Sequence, residues 1–69
     1  MMNISDLPFP KEGKVVEYEL PRYLWLEQWC IPAGVTIKLT TTTNFGFVIL
    51  PVDCVDASNH RVPRRLFKV

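Results

Sequence analysis

Three side chains near the C-terminal end have types that could perform acid–base or nucleophilic chemistry: Asp56, Ser58 and His60. His60 is the single histidine of the chain. On an extended strand Ser58 and His60 share a face but stand roughly 6–7 Å apart. A nucleophile must lie within hydrogen-bond reach of its base for the proton to pass, so this spacing argues against a triad. Cys30, Cys54 and His60 could ligate a metal, with Asp53, Asp56 or Glu27 as a fourth donor. Their pattern, Cys-x23-Cys-x5-His, lacks the closely spaced ligand pairs by which one turn presents two donors to a tetrahedral ion. The cysteines read as reduced and as small hydrophobes. The 3 glycines are isolated, so no phosphate-cradling loop is present. A chain of 69 residues also struggles to enclose a small-molecule pocket, which takes about 300–1,000 Å³. We expect no enzyme, no cofactor, no metal and no small-molecule substrate.

Two other constellations could bind a macromolecule. The first is basic: His60, Arg61, Arg64, Arg65 and Lys68. Residues 1–30 carry Lys11, Lys14 and Arg22 against Asp6, Glu12, Glu17, Glu19 and Glu27, a net of −2, whereas residues 31–69 reach +3. Arginine forks suit phosphate oxygens, and aromatic rings beside them can stack on bases. The net charge of +1 excludes avid, purely electrostatic nucleic-acid binding. The plainer reading is a solvated strand and turn whose arginines pair with the acidic half. The second constellation is aromatic: Tyr23, Trp25 and Trp29, with Phe45 and Phe47 further on. Rigid aromatic rings fill small cores and also dominate binding hot spots. We expect at least one tryptophan in the core and the other exposed.

These residues need elements to hold them. Met1 to Gly13 has two prolines and no periodicity, and reads as an irregular arm preceding a domain over 14–69. Lys14 to Leu20 alternates, with Val16, Tyr18 and Leu20 on one face and Val15, Glu17 and Glu19 on the other. Tyr23 to Ile31 fits either a two-turn helix or a strand. The strand places Trp25 and Trp29 on one face, roughly 13 Å apart. Pro32-Ala33-Gly34 is a turn. Val35 to Thr41 alternates again, with Val35, Ile37 and Leu39 inward. Phe45 to Val52, apolar on both faces, reads as a central strand that Pro51 ends or bulges. Asp56 to Asn59 is a turn, and His60 to Val69 holds a short strand, a proline-marked turn and a closing strand. The pattern predicts a mainly β fold: one small barrel of about five short strands, with at most one short helix or 3-10 turn.

With the strands placed, Val62-Pro63-Arg64-Arg65-Leu66-Phe67-Lys68-Val69 resembles the closing segment of Src-homology-3-type barrels, where a hydrophobic–proline pair leads through a 3-10 turn into the last strand. Gly34-Val35-Thr36-Ile37-Lys38-Leu39 is similar to that family's second strand after its turn glycine. Asn44 to Leu50 sits where its central strand begins. Val16-Glu17-Tyr18-Glu19-Leu20 stands in place of the Ala-Leu-Tyr-Asp-Tyr opening. Phe45 and Phe47 replace the tandem tryptophan, and Leu66 replaces the closing tyrosine. The resemblance implies the barrel shape. Because those aromatics build the family's polyproline groove, it does not imply that groove's binding activity.

We therefore expect a non-enzymatic interaction module that binds a protein partner, or itself, through Tyr23, Trp25, Trp29, Phe45 and Phe47. The alternative is a nucleic-acid-binding module using His60, Arg61, Arg64, Arg65 and Lys68. A further alternative is an accessory or structural subunit of a larger assembly, such as a phage or viral one. The longest apolar run is far short of the roughly twenty residues that span a membrane. The N-terminus lacks a signal-peptide core, so a cytoplasmic location is expected.

Overall fold

The computed structural model describes residues 1–63 and 66–68. Among these residues six strands follow in order: β1 (Val15–Glu19), β2 (Leu24–Leu26), β3 (Trp29–Ile31), β4 (Thr36–Thr42), β5 (Phe45–Ile49) and β6 (Leu66–Lys68), preceded by one 3-10 turn at Ile4–Asp6. The fold is mainly β, as the alternation predicts. One sheet has the antiparallel order β1-β4-β5-β6, and β2 and β3 form a separate hairpin.

The registers decide which side chains meet. Val16, Leu39, Val48 and Phe67 lie in one row across the large sheet, with Tyr18 beside Ile37 in the next. Leu39, Val48 and Phe67 are buried, so this is the inward face. Leu24 opposite Ile31 and Leu26 opposite Trp29 form the inward face of the hairpin. Both inward faces enter a single cluster that also takes in Leu20, Leu50, Cys54 and Val62.

The expected barrel does not form. β1 and β6 are the two edges of the large sheet, and among the described residues no ladder joins them or links the two sheets. Closing a sheet needs strands long enough to tilt and stagger round an axis, and β2, β3 and β6 have 3 residues each. The stretch 23–31, which a barrel would use as one bent strand, is folded back on itself. Glu27 adopts φ 54 in the two-residue loop between Leu26 and Trp29, the left-handed backbone that tight hairpin loops require. This corrects two readings. Residues 23–31 are neither a helix nor a continuous strand, and Trp25 and Trp29 do not share a face. Trp25 stands opposite Cys30 on the outward side, whereas Trp29 packs against the core.

The N-terminal arm is irregular apart from its 3-10 turn, yet it belongs to the core. Met2 and Leu7 are buried. Met2 also lies alongside β2: its N–H donates to Tyr23 O at 2.7 Å and its carbonyl accepts from Trp25 N at 3.1 Å. A chain this short buries only about 60% of the surface its unfolded form exposes, so each apolar side chain the arm adds to the core matters. Between Cys54 and Val62 the chain doubles back. Val62 N donates to Cys54 O, and Ala57 N donates to Cys30 O, tying the loop to β3.

Candidate functional site

The alternation that buries Leu39, Val48 and Phe67 sends their neighbours outward. Along β5 those are Phe45, Phe47 and Ile49. Phe47 lies between Thr40 and Lys68, Ile49 between Lys38 and Leu66, and Phe45 opposite Thr42. Val15 joins the Phe47 row through Thr40. Phe45, Leu66 and Val15 are exposed at 41%, 58% and 59%, and Phe47 and Ile49 are half-buried. The outward face therefore carries an apolar stripe across β5 and β6 where most such faces are polar. Lys68 places its Nζ 3.6 Å from the centroid of the Phe45 ring, a cation–π contact on the same face. Beside the stripe, towards β1, opens a hollow of about 330 Å³ walled by Glu17, Lys38, Ile49, Pro51 and Val52.

The other aromatic residues lie elsewhere. Tyr23 and Trp25 are exposed on the outward side of the hairpin, with half-buried Cys30 opposite Trp25 and exposed Met1 next to Met2, which pairs with β2. The two aromatic groups are thus on the outward faces of different sheets, with the shared core between them. Trp29 is turned into that core. Of the five aromatic residues expected to bind a partner, Phe45 and Phe47 come together, Tyr23 and Trp25 form a second patch, and Trp29 joins neither.

The basic residues are also divided. His60 and Arg61 sit at the end of the 54–62 loop, where Arg61 bridges Val55 in antiparallel fashion, and Lys68 is on the sheet. Arg64 and Arg65 lie outside the described residues. Asp56, Ser58 and His60 do meet, but as a turn. One oxygen of the Asp56 carboxylate accepts from the N–H of Ser58 at 3.0 Å and of His60 at 2.8 Å. The other lies 3.9 Å from His60 Nδ1. A carboxylate spent on backbone donors holds a loop together. Among the described residues no three His, Cys, Asp or Glu side chains gather where they could share an ion. Cys54 is buried, and that burial pushes its thiol above the ordinary value of 9.0, with the Asp56 charge acting in the same direction.

No family model, no curated protein sequence and no solved structure matches this chain. Its function must be argued from its own surface. Among the described residues no helix is long and apolar enough to cross a membrane.

Sequence reasoning singled out Phe45, Phe47 and Lys68 as binding residues and Leu66 only as the stand-in for a groove tyrosine, but not Val15, Lys38 or Ile49. Their alternation is visible in each strand. That they fall in adjacent rows depends on the registers between strands, which no single segment reveals.

Proposed function

We propose that this chain is a non-enzymatic interaction module that binds a protein partner through the outward face of its four-stranded sheet. The observation that carries the reading is the coincidence of Phe45, Phe47 and Leu66 on that one face. Contiguous exposed apolar side chains are uncommon on a monomer and mark sites that another molecule covers. The Src-homology-3 resemblance implies no binding activity of that family for this face. The positions that stand for its groove aromatics are these three, and they point to the same side although the sheet is open. The partner differs from a polyproline ligand, because two phenylalanines and a leucine lack the polar tips that tryptophan and tyrosine offer to a peptide backbone.

The test is site-specific photocrosslinking, with a benzophenone side chain placed at Phe45 and, in separate variants, at Trp25 and Asp53. Recurrent capture of one protein from the native cell extract by the Phe45 probe alone is the expected result. Capture from Trp25 alone would move the site to the hairpin. No capture from either position would end the proposal, and capture of a second copy alone would make the module a homo-oligomer.

One observation favours a second reading. Lys38 and Lys68 share a face with Phe45 and Phe47, and cations beside aromatic rings are how sheets hold single-stranded nucleic acid: bases stack and cations follow the phosphates. Amide shifts of Phe45, Phe47 and Lys68 on adding a short single-stranded oligonucleotide, fading as salt rises, would put this reading first. An unchanged spectrum would remove it.

A further inference from the structure

The large sheet has a free edge at β1, and the backbone there is unpaired in a definite pattern. Leu20 N donates to Val35 O at 2.9 Å, and the register continues with Tyr18 opposite Ile37 and Val16 opposite Leu39. In an antiparallel ladder the bonded positions alternate. Leu20, Tyr18 and Val16 therefore spend their N–H and C=O groups on β4. Val15, Glu17 and Glu19 turn theirs to the open side, where among the described residues no strand pairs with them. All three side chains are exposed on the outward face. The edge is thus a row of backbone donors and acceptors flanked by one valine and two carboxylates.

Such a row accepts an added strand, and main-chain hydrogen bonds then supply affinity while alternate side chains set specificity. Charge decides which strand. A second copy pairing β1 with β1 about Glu17 would set Glu17 against Glu17, and pairing about Tyr18 would set Glu17 against Glu19. Like charges directly opposite one another destabilise a ladder. Pairing about Val16 avoids this only by leaving Glu19 opposite Gly13, beyond the strand. The same carboxylates favour a strand that brings cations to alternate positions. The residues between them would cover Val16 and half-buried Tyr18 on the inward side. Lys38 stands opposite Glu17 on the β4 side, so cations of an added strand meet Glu17 and Glu19 from the open side, with their aliphatic stems lying along the edge.

We propose that β1 is a docking edge for an extended segment of a protein partner in which Lys or Arg alternates with apolar residues. This goes beyond binding through the aromatic face. It uses the edge of the sheet, and it stands or falls independently of Phe45 and Phe47.

The probe is an acetylated octapeptide alternating valine and lysine, titrated into isotopically labelled protein and followed by amide NMR. Saturable shifts at Val15, Glu17 and Glu19, with slowed amide exchange at those positions, are expected. The double variant Glu17→Lys/Glu19→Lys should weaken binding roughly tenfold or more, since two exposed pairs are replaced by repulsion. A peptide of the same composition with its lysines in one block should bind more weakly. Equal binding of the block peptide would reduce the effect to bulk charge and overturn the proposal. So would shifts confined to Phe45 and Phe47, or an unaltered spectrum. Shifts at β1 on raising the protein concentration alone would show that a second copy takes the edge instead.

Discussion

The ring of Phe9 lies so close over Gly46 that a methyl group at Gly46 would stand 2.8 Å from Phe9 Cδ1 and 2.9 Å from Cε1. An arm residue and a central strand residue are thereby fitted to each other. Gly46 leaves a gap on the inward face of β5, and Phe9 occupies it from a segment with no regular structure of its own. Interiors packed to the density of organic crystals leave no slack for an added methyl group.

Gly46→Ala should therefore destabilise the fold by about 1–3 kcal/mol, the usual cost of overpacking. Chemical denaturation measures this. Shortening the opposing residue with Phe9→Leu should make the second substitution less costly than it is alone. Strict additivity of the two changes would show that the contact is not the cause.

The tryptophans should separate by role. Trp29→Ala removes a ring packed on the core and should cost about 2 kcal/mol or more, below the roughly 3–5 kcal/mol of a fully buried ring. Trp25→Ala, at an exposed position, should change stability by no more than about 0.5 kcal/mol. Urea midpoints of the two variants decide the matter, and equal losses would contradict the hairpin.

Asp56 should matter as an acceptor. Asp56→Ala strands the N–H groups of Ser58 and His60, which now bond to one carboxylate oxygen. Hydrogen bonds to a charged group are worth about 1.5–3 kcal/mol. Asp56→Asn keeps an oxygen in the same place and should cost less. A thermal-melt series of the three proteins tests that order.

Cys54 makes stability depend on alkaline pH. Burial, with the Asp56 charge second, raises its folded value above 9.0. Near that pH the unfolded chain releases the thiol proton while the folded chain retains it. The contribution is complete below the unfolded value and is lost as pH rises through the folded one. Stability measured from neutrality to beyond pH 9.0 should fall less steeply for Cys54→Ala than for the natural chain. Parallel curves would exclude the thiol as the source.

The alternation of apolar and polar residues finds β1 and β4 with the inward set Ile37 and Leu39; the run from Phe45 to Val52 finds β5, which stops at Ile49, and proline and glycine mark the turn at Pro32–Gly34. Side chains on a strand alternate with a period of two whatever the rest of the chain does, so these features belong to the sequence alone. The tertiary structure decided where two strands meet and where one turns back. The segment 23–31 carries no glycine, asparagine or aspartate at its loop, and only the burial of Leu24, Leu26 and Ile31 makes the left-handed Glu27 backbone worth its strain. Likewise nothing local in Met2, Leu7 or Phe9 foretells their place in the core, because the cavity they fill is made by strands distant in sequence. The apolar outward face and the open β1 edge arise in the same way, from registers set by a core that all the strands share.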